Sequence, residues 1–245
     1  MHPQRIADLL HPFLYPDPNS CHSEQGRRPG EEPAVLSSSQ LQSISTYIDI
    51  LQRWNARINL SAIRDEEEIV TRHFGESFFV ARHLFPDRNR ETNPRRNSPA
   101  ISAHSALKES DDSLADLGSG AGFPGLPIKL WAPDIALTLI ESNHKKATFL
   151  REVVRALTLT EVDIMNVRAE TITLTFDVVT FRAIEGFADA LRVARTLLAS
   201  SGRLAILISS SQLPTAQSAL PDIIWSAPIP IPNSQSRQLL VGRSS

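Results

Sequence analysis

Cysteine is almost missing from this sequence of 245 residues: one, Cys21, stands in a polar, proline-rich stretch. One thiol builds no internal disulfide framework, which fits a reducing compartment, and its surroundings mark it as incidental rather than nucleophilic. Long apolar runs are missing too. None approaches the ~20 residues a membrane-spanning helix needs. The short N-terminal patch IADLLHPFLY is interrupted by His11 and Pro12, and no small-residue cleavage site follows it. A cytoplasmic location is therefore expected. Nor is charge of one sign in excess: the net charge of −2 gives no whole-chain attraction to nucleic acid, so any basic surface has to be local. No internal repeat is visible, and no metal site is expected.

What is present is enough apolar residue, 41%, for a real core. Residues 1–39 read as a flexible N-terminal segment, dense in Pro, Ser, Gly and charge after residue 15. Residues 40–85 read as a helical subdomain. In it Leu41, Ile44, Ile48, Leu51 and Ile58 fall near helical spacing. Asp65 and Glu68 form a capping-box pair ahead of the stripe Val70, Phe74, Phe78, Ala81 and Phe85. Arg72 and His73 flank that stripe, and His73 is read as a packed or capping residue. Residues 86–112, with Arg88, Arg90, Arg95 and Arg96 among prolines, read as a mobile linker or solvated insert that buries no core.

From residue 113 the rhythm becomes strand, turn, helix. Strands are expected at 113–117, 136–141, 162–167, 176–181 and 203–209, and helices at about 124–131, 143–157 and 186–199. Asn143 is the expected cap of the second helix, and Gly202 the expected end of the third. IIWSAPIPIP and RQLLVGRSS read as an antiparallel hairpin on the sheet edge. The fold class is α/β: a Rossmann-like, mostly parallel sheet with helices on both faces and an N-terminal helical subdomain.

The chemistry concentrates in SLADLGSGAGFPGLPIKLW, residues 113–131. No Gly-Lys-Ser or Gly-Lys-Thr ends this turn, so it is not a P-loop. Gly120, Gly122 and Gly125 formally fit the dinucleotide pattern G-x-G-x-x-G, with Glu141 about twenty residues on. Two residues argue against a pyrophosphate. Asp116 places a carboxylate on the strand end, which repels a phosphate and attracts a cation. Pro124 removes an amide from the helix start. S-adenosyl-L-methionine, a cationic adenosyl ligand, suits Asp116, Gly118, Gly120 and Gly122 better, with Glu141 accepting the ribose hydroxyls.

Four stretches, WNARINLSAIRDEEEIVTRHFGES, ADLGSGAGFPGLPIKL, ESNHKKATFLREV and RAETI with FDVVTFRA, together span most of residues 40–200. In their combination the chain resembles the glucose-inhibited division protein B family, the small-subunit ribosomal RNA guanine-N7 methyltransferases. The resemblance implies a class I methyltransferase domain over 113–245, acting on N7 of a guanine in 16S ribosomal RNA. It also implies cofactor contacts from Gly118, Phe123, Ala169, Glu170 and Arg182. Arg182 takes the catalytic role of fixing cofactor and target relative to each other, and Lys145, Lys146 and Arg151 offer a basic helix to the RNA. Where the family carries a Lys-Gly pair after its fifth strand, this sequence has Ser209, Ser210 and Ser211. A monomer acting on 16S ribosomal RNA or a small-subunit particle is expected. Three other readings stay open at this point: a small-molecule methyltransferase of the same fold, an NAD-dependent oxidoreductase, and a non-catalytic RNA-binding relative.

Overall fold

The computed structural model describes residues 1–15, 36–86, 88 and 112–244. Most of the insert, with Arg90, Arg95 and Arg96, and Cys21 lie outside the described residues. The first element corrects the reading of residues 1–39. Pro3–Leu14 is a helix, α1, with Ile6, Leu10, Phe13 and Leu14 buried. Pro12 interrupts the apolar patch in sequence, but the helix docks on its neighbours, and docking rather than propensity sustains it.

Helix α2, Ser38–Asn55, starts at a capping box between Ser37 and Gln40 and buries Ile44, Tyr47, Ile48, Ile50 and Leu51. Ile58 lies beyond its end. Next comes a rod in three parts: α3 (Glu66–Glu68), a π-helical turn (Ile69–Gly75) and α4 (Glu76–Leu84). Asp65 caps the rod by accepting the Glu68 amide. The π-helical turn offsets the helix register, so His73, Phe74 and Gly75 are all buried.

The sheet follows. Its order is β3-β2-β1-β4-β5-β8-β6, with β7 paired to β8. The strands are β1 Ser113–Leu117, β2 Ala136–Ile140, β3 Val162–Met165, β4 Phe176–Arg182 and β5 Leu198–Ser209, all parallel. The tail adds β6 Ile223–Trp225, β7 Ile229–Pro230 and β8 Arg237–Ser244, where β8 runs antiparallel to β5 and separates it from β6. Between the strands lie α5 (Gly125–Trp131), α6 (His144–Ala156), α7 (Phe187–Thr196) and α8 (Leu213–Ala219). The last of these was not anticipated from sequence.

Gly202 is a second correction: it ends no helix. Helix α7 stops at Thr196, and Gly202 sits inside β5, where Phe176 pairs with Leu198 but Val178 pairs with Arg203. The intervening β5 residues loop out, and Ser201 takes a positive φ of 62° there. A Cβ on Gly202 would come within 2.8 Å of the Leu198 side chain. The glycine answers a bulge rather than a helix end.

Two apolar clusters cover the two faces of the sheet. One joins α1, α2 and the rod to α5, α6 and one sheet face in a single core. The other lies under α7 and α8. The N-terminal helices therefore share their core with the sheet.

Candidate active site

The site begins where β1 runs out at the carboxyl edge of the sheet. Gly118, Gly120 and Gly122 take positive φ of 65°, 56° and 84°, which side-chain-bearing residues rarely adopt. Gly122 must be glycine for a second reason: a Cβ would stand 2.3 Å from Tyr47 Oη and 2.6 Å from Leu126. Gly120 differs, since a Cβ there would meet only Gly118 O, at 3.7 Å. At Gly120 the loop opens onto free space.

Two carboxylates shape the loop. Glu141, just past β2, accepts the Gly120 amide on Oε2 at 2.9 Å and the Asn143 amide on Oε1 at 2.7 Å. Each oxygen keeps lone-pair capacity. Asp116 is fully buried and its Oδ2 accepts the Gly125 amide at 3.1 Å, so it braces the loop from beneath and caps α5. This bond also takes up the amide that an anion at the α5 start would need. Its Oδ1 has no partner among the described residues. Burial raises the Asp116 pKa to about 7, against the lowering by the Gly125 and Ser119 hydrogen bonds and by Arg182.

The loop is also held from the helical layer, by a residue that sequence reasoning missed. Tyr47 of α2 donates its hydroxyl to Ala121 O at 2.5 Å. Burial and the nearby Asp116 charge push its pKa well up, so it stays a neutral donor. Its only signal in the sequence is its place in the stripe Ile44, Tyr47, Ile48, Leu51, where it reads as core. Phe123 stacks on Tyr47 (centroids 5.3 Å apart, 6° between planes) and on His73 (4.6 Å, 15°). Its ring thus faces the helices, which leaves its backbone for any cofactor contact. His73 is packed: Nε2 lies 2.7 Å from Ser61 Oγ, and burial, then Arg182 and Arg72, lower its pKa to about 3.

The other expected residues lie on neighbouring elements. Ala169 and Glu170 form a 3-10 turn after β3. Asn166, also missed, donates to Glu141 O and Ser142 O and ties the ends of β2 and β3 together. Ile184 lies over Gly118, its Cδ1 2.9 Å from where a Cβ would be. Arg182 ends β4 and is not on the surface: its side chain is 15% exposed, donates to Arg72 O at 2.9 Å and lies 3.8 Å from Glu76. The basic residues of α6 separate. Lys145 and Lys146 lie in its first turn near Glu141. Arg151 is about 9 Å further along the axis and lines, with Arg155 and Asp163, an open groove of about 500 Å³ beside β3.

These residues fit an adenosyl ligand. Gly120 offers an open approach to the backbone, Glu141 offers acceptors at its edge, and Ile184 offers apolar cover over Gly118. Among the described residues no group of three or more His, Cys, Asp or Glu is placed to hold a metal ion.

The model of one family, rRNA small subunit methyltransferase G, matches residues 40–93 and 94–220. The chain belongs to this family. A ribosomal RNA small subunit methyltransferase G from Xylella fastidiosa (strain 9a5c) is 39% identical over 160 residues, 64% of this chain and 64% of that relative. One from Chloroflexus aggregans is 34% identical over 221 residues, 84% of this chain and 82% of the relative. Among solved structures, a ribosomal protein L11 methylase from Lactobacillus delbrueckii subsp. bulgaricus shares the fold, with a TM-score of 0.50 and 15% identity over 70% of this chain and 80% of that one. Membership makes the chain a methyltransferase, with S-adenosyl-L-methionine as its methyl donor. No helix among the described residues is long and apolar enough to cross a membrane.

Proposed function

We propose that this enzyme methylates N7 of a guanine in 16S ribosomal RNA, as a cytoplasmic monomer working on the small subunit or its precursor. The observation that carries the reading is the glycine loop. It is braced by Asp116 and Tyr47, tied to Glu141, and open at Gly120, in a chain that belongs to the rRNA small subunit methyltransferase G family. The methyltransferase part is 113–245, and the helices of 40–85, joined by α1, form a helical layer packed on it.

The cofactor, when bound, supplies an electrophilic methyl group on a sulfonium. Gly118, Gly120, Glu141, Ala169, Glu170 and the Phe123 backbone are the residues proposed to hold it. Guanine N7 offers a lone pair and carries no proton, so no group here has to act as a base. His73 agrees with that: it stays neutral to about pH 3 and is engaged with Ser61. What remains for the protein is alignment, which is worth large effective molarities. Arg182, at the strand end beside the loop, is proposed to fix the target base relative to it. N7 lies on the deep-groove edge of RNA, so the target guanine is taken from a loop or turned out of its stack. Lys145, Lys146 and Arg151 are proposed to meet the RNA backbone. Mass spectrometry of 16S ribosomal RNA from cells with and without the gene tests the reading. One N7-methylguanine should vanish with the gene, and an unchanged modification profile overturns it.

A further inference from the structure

Two arginines meet one carboxylate, and a third adjoins them, where the helical layer rests on the sheet. Arg182 ends β4, donates Nη1 to Arg72 O, and approaches Glu76 Oε2. Arg237 opens β8 and donates Nε to Glu76 Oε1 at 2.7 Å. Glu76 is almost completely buried. Arg72 belongs to the π-helical turn, and its Nε is buried without a hydrogen-bond partner among the described residues. Three cations thus gather near Glu76 and, beside Arg182, the buried Asp116, whose pKa burial raises to about 7, so positive charge is in excess. Guanidinium groups do not shed their proton to relieve such an excess. A buried donor without an acceptor is costly as well. Both costs fall when an anion enters.

The position decides which anion. Arg237 is the register partner of Ser209 at the carboxyl end of β5. From β1, whose end carries the glycine loop, the sheet order leads through β4 and β5 to β8. That is three strand spacings, about 14 Å. Arg237 thus lies away from the loop along the carboxyl edge, the path that a polynucleotide passing over this edge would follow. Arg182, on the strand next to β1, stands between the two.

We propose that Arg72 and Arg237, with Arg182 beside them, form a phosphodiester seat for the RNA substrate. The proposal rests on the ribosomal RNA reading above and adds a contact set that runs from Arg182, one strand from the cofactor loop, to Arg237, three strands from it. It also supplies charge to the edge where Ser209, Ser210 and Ser211 bring none.

The test uses the full chain and small-subunit ribosomal RNA, with binding measured across a salt series and S-adenosyl-L-methionine binding measured by calorimetry. Arg72→Gln and Arg237→Gln should each raise the RNA Kd about tenfold and lower the slope of log K against log salt by roughly 0.7 to 0.9. Arg72→Lys and Arg237→Lys should keep that slope, and cofactor affinity should stay within twofold in all four variants. Thermal melting checks that each is folded. Arg237 anchors Glu76, so if Arg237→Gln does not fold, Arg72→Gln decides the question, because the Arg72 Nε has no partner among the described residues. An unchanged slope in folded Gln variants overturns the seat while leaving the ribosomal RNA reading intact. A parallel loss of cofactor affinity also overturns it, by giving the arginines to the cofactor. Wild-type protein that shows no salt-dependent RNA binding removes the parent reading itself.

Discussion

Asp116 and His73 are two buried titratable groups whose pKa values move away from their ordinary values in opposite directions. The Asp116 pKa rises from 3.8 to about 7, so between those values the folded chain holds a proton that the unfolded chain has lost, and stability falls as pH rises. The His73 pKa drops from 6.5 to about 3, so between those values the unfolded chain holds the extra proton, and stability rises with pH. Over about pH 4 to 6.5 the two slopes oppose each other, at up to about 1.4 kcal/mol per pH unit each. Removing either group should unmask the other. Asp116→Asn should gain stability relative to wild type as pH climbs from 4 to 7, and His73→Gln should lose stability relative to wild type over the same climb, up to about pH 6.5. Denaturant titrations at each pH measure this, and pH-independent differences would show that these groups are not held as described. The two loop glycines make a second contrast. Gly120→Ala meets open space and should cost about 1 to 2 kcal/mol for its positive φ, while weakening cofactor binding. Gly122→Ala also drives a Cβ into Tyr47 and Leu126, and should cost clearly more in a chemical denaturation curve.

Among the elements, α2 acts at a distance on the cofactor loop. Tyr47→Phe keeps the ring stack with Phe123 but deletes the hydrogen bond to Ala121 O. It should cost about 1 kcal/mol of stability and raise the cofactor Kd several-fold, because the loop must then be ordered at binding. Calorimetry showing wild-type affinity would separate α2 from the site. Helix α6 is the RNA-facing candidate on the other side of the loop. Replacing Lys145 and Lys146 by Ala should flatten the salt dependence of RNA binding by roughly one to two units, with cofactor affinity unchanged. Their amides stay bound to Asn143 Oδ1 in either case, so the helix start survives the change.

At the scale of the whole molecule, helices and sheet share one core, and α1 belongs to it. Phe13 presses so closely on the π-helical turn that a Cβ on Gly75 would lie 2.6 Å from its ring. Phe13→Ala should therefore cost about 3 to 5 kcal/mol, read as a lower denaturation midpoint for the entire chain in a single transition. A separate early transition for the helices alone would mean that the layer unfolds independently.

Local chemistry was written plainly in the chain. The glycine turn, Glu141 twenty residues on, the Asn143 cap and the alternation of strands with helices were all legible, since positive φ, capping and periodicity are settled by a residue and its near neighbours. Gly202 misled because a glycine before a strand looks the same whether it ends a helix or relieves a bulge, and only the β4–β5 register tells them apart. The N-terminal helix was invisible for a related reason: His11 and Pro12 spoil its pattern, and its stability comes from docking. The core of the site was hidden most completely. Tyr47 reaches Ala121 across 74 positions, Arg182 reaches Arg72 across 110, and Arg237 reaches Glu76 across 161. Burial and charge pairing over such separations depend on which surfaces the folded chain brings together. The raised pKa of Asp116, the inward-turned Phe123 ring and the three-arginine cluster were therefore decided by the tertiary structure alone.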